Sequence, residues 1–409
     1  MRRTLLVTWC LAALVVGELA AEAESAIDPV VALRAYLAKP AAKRGALDPA
    51  VLAAPLTRAQ ADAARQLLVA DWRKQVKASR GHELKQRAIT IDGTTMRFFY
   101  KIYGKKPAGG RSLYISMHGG GSAPKEVNDQ QWRNQQRLYR PAEGVYVAPR
   151  APTDTWNMWH EPHIDALFGR LIADMIALED VDPNKVYLLG YSAGGDGVYQ
   201  LAPRMADRLA AAAMMAGHPN DASPIGLRNI GFAIHVGELD TPYQRNEVAA
   251  RWSKQLATLQ TDPWSYRHVV EIHAGKGHWM DGQDAKAIPW LAGFTRTPRP
   301  AHVAWKQDDV THTRFYWLAI PEQLARAGSE IHASYGGQTI TIARTDVPVL
   351  SVRLDDDMVD LDRQVTVRVG DQVVFQGVVP RTIGGLMTTL SEREDPAAMY
   401  AGQVVVRRP

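Results

Sequence analysis

The sequence predicts an α/β fold, a mostly parallel sheet with helices on both faces, followed by a smaller all-β domain. Three observations predict it. Short apolar runs alternate with amphipathic helical stretches from about Gln86 to Pro300, the pattern of strands covered on both faces. Two of those runs, "SLYISMHGGG" and "KVYLLGYSAGG", stop at glycine clusters. Beyond Pro289, Pro298 and Pro300 the pattern changes to short runs such as "QTITIAR", "VLSVRL" and "QVVVRR".

Taken in order, Arg2 and Arg3 precede an apolar run too short to favour a membrane span, and small residues stand at Ala21 and Ala23. This is the pattern of a secretory leader over residues 1–23, which would place the protein in the periplasm or outside the cell, with no membrane attachment once the leader is cut. The single cysteine, Cys10, lies inside it. The bulky Trp9 before it argues against lipidation. Residues 24–85 read as helical, with Thr57 as N-cap of "RAQADAARQLLVADWRKQVK". Residues 86–300 form the predicted α/β domain, and Asp92-Gly93 between two β-rich runs predicts a hairpin at its start. Residues 301–409 read as a β-sandwich, with a second hairpin at Gly370-Asp371. Exposed aromatics are sparse there, so that domain is expected to be structural or to mediate a homodimer. The net charge of +5 is not gathered into a basic tract with interleaved aromatics, which argues against nucleic acid.

The chemistry starts at Gly190-Tyr191-Ser192-Ala193-Gly194, a G-x-S-x-G between a β-rich run and a helix-like one. In that context the pattern denotes a turn that exposes a nucleophilic serine. A serine hydroxyl needs a base to take its proton, and the base needs a carboxylate to orient it. His278, in the glycine-rich loop after "VVEIHA", is the expected base. Asp240, just past "IGFAIHVG", is the expected acid; Glu238 and Asp281 are its rivals, and His273 reads as a packed strand residue. The order Ser, Asp, His is that of an α/β-hydrolase. Donors for a developing oxyanion are expected from Gly119 and Gly120, in the stretch His118–Gly121, and from the backbone of Ala193. Trp156, Trp159 and Tyr243 are the expected substrate-binding residues; Arg245 could touch substrate or anchor its loop. His160, Glu161, His163 and Asp165 lack the spacing of a metal helix, so no metal and no cofactor are expected.

"MHGGGS", "LGYSAGG", "VGELD" and "GKGHW" together resemble the polyhydroxybutyrate depolymerase and feruloyl esterase branch of the α/β-hydrolase superfamily, with dienelactone-hydrolase-like and prolyl-oligopeptidase-like relatives. The resemblance covers about Gln86 to Phe294. It implies an exported serine hydrolase acting on a small or polymeric ester through Ser192, His278 and Asp240, with an acyl-enzyme intermediate. The alternatives are a serine peptidase of prolyl-oligopeptidase type and a non-catalytic binding protein on the same fold. The chain departs from the exported members of that branch in having no cysteine after Cys10.

Overall fold

The computed structural model describes residues 28–408, so the leader reading and Cys10 lie outside it. The chain opens with helices α1 (Pro29–Ala38), α2 (Pro49–Ala53) and α3 (Arg58–Gln86). Thr57 caps α3 as expected. Its side chain accepts from the Gln60 N–H, and the Gln60 side chain accepts from the Thr57 N–H.

The central sheet follows: β1 (Ala88–Ile91), β2 (Thr94–Tyr103), β3 (Arg111–Met117), α4 (Lys125–Leu138), β4 (Gly144–Pro149), α5 (Pro162–Leu178), β5 (Val181–Tyr191), α6 (Ala193–Arg204), β6 (Ala211–Met215), β7 (Gly231–Gly237), α7 (Arg245–Leu259), β8 (His268–His273) and α8 (Ala287–Ala292). The strands form one eight-stranded sheet in the order β1-β2-β4-β3-β5-β6-β7-β8. β1 and β2 pair antiparallel around the Asp92-Gly93 hairpin, β2 runs antiparallel to β4, and all later pairs are parallel. Successive side chains of β5 point to opposite faces. Val186 and Leu188 join a core with α5, α6 and α7, while Tyr187 and Leu189 join one with α4 and α8. The strands are therefore apolar on both faces, which is why they read as continuous runs rather than alternating ones.

Beyond Pro300 come β9 (His302–Lys306), β10 (Arg314–Phe315), β11 (Leu318–Ala319), β12 (Glu330–Gly336), β13 (Thr339–Thr345), β14 (Val349–Leu354), β15 (Val365–Val369), β16 (Gln372–Gly377), α9 (Ile383–Arg393) and β17 (Gly402–Arg407). They make a four-stranded sheet, β10-β11-β14-β17, and a five-stranded one, β16-β15-β13-β12-β9. Inward residues of both sheets share one core, among them Trp305, Trp317, Ile342, Val352 and Val404. The sequence reading expected strands alone here. Helix α9 is an addition: Gly384 and Gly385 are poor helix formers and hid its periodicity, yet the Thr382 side chain caps it by accepting from the Gly385 N–H. Gly385 is there because an added Cβ would lie 2.6 Å from the Ala401 carbonyl oxygen.

The N-terminal helices do not stand apart from this region. Leu33, Ala64 and Leu68 pack with Ile383, Leu386 and Leu390, and Leu56 bridges to Arg381. Buried ion pairs stitch the central sheet to the C-terminal region. Arg296 meets Asp395 at 2.7 Å with both side chains at most 4 % exposed, and Asp165 binds Arg204 at 2.6 Å and His312 at 2.8 Å. Burial alone would raise the Asp395 carboxyl, but Arg296, with Arg208 and the Ala397 N–H, outweighs it and holds the group below the usual carboxylate range.

Removing one partner of such a pair leaves an uncompensated buried charge. Asp395→Ala is expected to destabilise the fold by about 3–5 kcal/mol in urea unfolding. A loss below about 1 kcal/mol would show that this contact does not hold the two regions together.

Candidate active site

The strand β5 ends at Tyr191, and Ser192 takes up φ 56° and ψ −122°, a backbone conformation that L-residues rarely occupy. The turn is fixed by what surrounds it. The Ser192 N–H donates to the Met215 carbonyl at 2.9 Å. A Cβ at Gly190 would fall 2.2 Å from the Gly194 carbonyl oxygen, and one at Gly194 would fall 2.3 Å from that of Met117. Glycine at both positions is therefore steric necessity. The result sets Ser192 as N-cap of α6, with the Ala193 N–H at the first helical position, where no intrahelical acceptor exists.

Two loops from the next strands reach this serine. After β7, Gly237 lies so close to the following loop that an added Cβ would meet the Gly277 carbonyl oxygen at 2.0 Å. That approach lets the Glu238 N–H donate to the His273 carbonyl and the Leu239 N–H to that of Lys276. Asp240 and His278 are thereby brought together. His278 Nδ1 lies 2.9 Å from Asp240 Oδ2, and His278 Nε2 lies 2.9 Å from Ser192 Oγ. The carboxylate can only accept, so Nδ1 carries the proton and Nε2 is left to accept from the serine hydroxyl. Asp240 is fully buried, with Arg245 Nη1 at 3.6 Å from its other oxygen. The rivals are engaged elsewhere: Glu238 accepts from the Gly275 N–H, and Asp281 pairs with Lys276.

The stretch after β3 forms the opposite wall. Gly119 packs against the serine, since an added Cβ would stand 3.0 Å from Ser192 Cβ. Asn128 of α4 holds the loop by accepting from the Gly121 N–H at 2.9 Å and donating to the Ala123 carbonyl. Its Oδ1 lies 2.1 Å from where a Cβ of Gly120 would be, and Gly120 has φ +116°. His118 is buried beneath. Its Nε2 accepts from the Ala151 N–H, so Nδ1–H donates to the Gly119 carbonyl at 2.6 Å. Burial pushes its pKa down to about 4, so it is neutral at pH 7.

The cleft over Ser192 has a volume of about 710 Å³. Its walls include Tyr191, Trp279, Gln131, Asn134 and Leu138. Tyr191 and Trp279 are functional candidates that the sequence reading missed. The Tyr191 hydroxyl donates to the His278 carbonyl at 2.6 Å and accepts from the Met280 N–H, so it anchors the His278 loop. Trp279 is 52 % exposed. Both flank residues already singled out, one before the serine and one after the histidine, and that adjacency was the available signal. The amides of α4 had none, because the cleft takes one face of an otherwise polar helix.

Trp159 is a correction. It is fully buried and lines no part of the cleft; its indole N–H donates to the His118 carbonyl at 2.7 Å, so it braces the glycine loop from behind. Trp156 is 58 % exposed, with its backbone against Gly121, at the edge of the site. Tyr243 is 75 % exposed and stacks under the Arg245 guanidinium. Of the polar cluster at 160–165, Asp165 is committed to Arg204 and His312.

The strand order, with the strained Ser192 turn after β5 and the Asp240 and His278 loops after β7 and β8, is that of an α/β-hydrolase fold. No protein-family model matches the chain, and no curated protein does. Among solved structures it is similar to a thermostable esterase at 17 % identity and a TM-score of 0.40, over 51 % of this chain and 62 % of that one. A carboxylesterase from Mesorhizobium loti gives 18 % identity and a TM-score of 0.34, over 51 % and 99 %. An acetyl xylan esterase from Aspergillus awamori gives 14 % and 0.33, over 50 % and 96 %. About half of this chain is matched in each. Among the described residues no helix is long and apolar enough to cross a membrane.

Two outcomes are expected. Asn128→Ala should lower kcat on any substrate of this site by about tenfold or more with little change in KM, because it loosens a wall that must be in place before reaction. His118 is ordinarily half-protonated near pH 6.5 but near 4 in the fold, so the unfolded chain binds more protons in between. Its contribution is full above about 6.5 and is lost as pH falls toward 4. His118→Gln should therefore flatten the fall of Tm over that window, measured by calorimetry at several pH values.

Proposed function

We propose that the protein is a serine hydrolase of carboxylic esters. The observation that carries this reading is the single hydrogen-bonded chain from Ser192 Oγ through His278 to buried Asp240, built on an elbow that the surrounding glycines force. Ser192 Oγ attacks the ester carbonyl carbon as His278 Nε2 takes its proton. The carbonyl oxygen becomes an oxyanion facing the backbone N–H groups of Ala193 and of Gly119 and Gly120. The intermediate collapses, the alcohol leaves with the proton from His278, and an acyl-enzyme remains on Ser192. Water, deprotonated by His278, then repeats the sequence and frees the acid. Asp240 keeps the imidazole in the required tautomer and stabilises the imidazolium. It is not protonated at any step.

The motif resemblance to depolymerases and feruloyl esterases favours esters over amides. The leader pattern at residues 1–23 favours action in the periplasm or outside the cell. Trp279 and Tyr191 beside the serine give the cleft an aromatic wall for the acyl or alcohol group.

The test uses p-nitrophenyl acetate and butyrate beside a peptide p-nitroanilide. Hydrolysis of the esters is expected, with Ser192→Ala reduced by about 10³-fold or more and unreactive toward a fluorophosphonate. Ester cleavage that survives Ser192→Ala would overturn the assignment, and cleavage of the anilide alone would make the protein a peptidase. Trp279→Ala should raise KM for the butyrate about fivefold, the loss of roughly 1 kcal/mol of stacking and burial, and leave fluorophosphonate labelling intact.

A further inference from the structure

On the far side of β7 and β8 from α7, three side chains converge that the proposed chemistry does not use. In the parallel register of the two strands His235 stands beside Glu271, and His273 lies two residues further along β8 on the same face. One donor atom from each lies within 4.8 Å of the others. His235 and His273 are 1 % and 5 % exposed, and their rings stack with centroids 5.4 Å apart. We propose that His235, Glu271 and His273 form a binding site for a transition-metal cation of the Zn²⁺ class. The proposal is independent of the ester reading.

The donor geometry carries it. His235 Nδ1 and His273 Nε2 are 3.1 Å apart. Two nitrogens each at about 2.0–2.1 Å from one tetrahedral Zn²⁺ stand roughly 3.3 Å from one another, so the pair needs almost no movement to share an ion. His273 is already oriented. Its Nδ1 lies 3.2 Å from the Gln283 side-chain oxygen, which can only accept, so Nδ1 carries the proton and Nε2 presents its lone pair to the site. Without a cation, His235 Nδ1–H donates to His273 Nε2. Binding a cation at Nδ1 moves that proton to Nε2, so neither imidazole gains or loses net charge; the buried Nε2 has no protein partner in either state. Glu271 is half-buried and supplies the anionic donor, completing a two-histidine, one-carboxylate set with a position open for water. Among the described residues this is the one group of such donors that converges.

Two further features bear on affinity and consequence. The Lys286 ammonium lies 3.3 Å from one Glu271 oxygen and competes with a cation for it. The site also ties β7 to β8 just before the loops that carry Asp240 and His278 leave those strands, in a region of the chain that has no cysteine for a disulfide. A bound ion would act there as a cross-link, raising stability by binding only the folded state.

The experiment uses the full chain, treated with a chelator and exchanged into metal-free buffer. Zn²⁺ binding is measured by titration calorimetry, Co²⁺ coordination by its visible absorption, and Tm with and without Zn²⁺. One Zn²⁺ per chain, a tetrahedral Co²⁺ spectrum and a Zn²⁺-dependent rise in Tm are expected. Glu271→Gln and His273→Gln should each weaken binding by at least about tenfold, since even losing a group behind a ligand costs about 10–100-fold. Lys286→Gln should tighten it. Should His273→Gln fail to fold, the half-buried Glu271→Gln decides. No Zn²⁺ binding, or binding undiminished in Glu271→Gln, would overturn the site. Binding lost in His278→Ala but kept in the other variants would place the ion on the Ser192 pair instead and overturn it equally.

Discussion

The constraint on which the structure depends is how closely backbone segments approach one another at the C-terminal edge of the central sheet. Gly190 and Gly194 let the chain reverse within a few residues of β5, Gly195 and Gly217 let α6 and the end of β6 touch, and Gly237 admits the loop after β8. Each approach leaves no room for a methyl group, so each fixes the path of a main chain rather than of a side chain. A side chain can change rotamer, but a main chain held at this distance cannot drift. The strained φ of Ser192 persists because these contacts over-determine it.

That rigidity is what gives the polar groups their geometry. Ser192, His278 and Asp240 come from separate loops, and their 2.9 Å spacings follow from where those loops are pinned. The pinning runs outward in layers. Trp159 braces the His118 carbonyl, His118 braces Gly119 and Ala151, and Asn128 braces Gly121. On the other side the Tyr191 hydroxyl holds the His278 carbonyl, so the residue before the serine supports the His278 loop. A neutral His118 suits this arrangement: one ring nitrogen must donate and the other accept, which a protonated imidazole could not do.

Much of this was legible in the sequence, and the reasons are particular. The elbow announces itself because only glycine fits around it, and β5 is recognisable because both its faces are buried. The order of Ser192, Asp240 and His278 along the chain follows from the order of the strands they end. Thr57 and Asp92-Gly93 act through local backbone hydrogen bonds and φ values, so neighbours in sequence suffice to place them. What was misread depends on distant partners. Trp159 looked like a cleft residue because it neighbours exposed Trp156, but the helical turn there aims it at His118 and Phe168. The role of Asp165 could not be read locally either, since His312, one of its partners, is 147 positions away in the chain. Helix α9 was hidden because its paired glycines answer to the Ala401 backbone rather than to helix propensity.

The two parts of the molecule are also held by different physics. At the sheet edge, main chains touch and glycine is the enabling residue. Between the sheet and the C-terminal region the contacts include guanidinium–carboxylate pairs with little exposure: Arg296 with Asp395, and Arg393 with Asp207. Such pairs are directional and costly to leave half-made, so they specify one docking geometry more than they add net stability. Among the described residues, none before Gly119 and none beyond Trp279 lines the cleft. The C-terminal strands, α9 and the N-terminal helices therefore bear on chemistry only through the framework they clamp. α3 shows how. Glu83 pairs with Arg170 of α5, and Arg80 reaches both Asp174 of α5 and Glu394 just past α9. One long helix thus ties the layer beneath the elbow to the C-terminal region, and it does so with charges that a free surface helix would have turned to water.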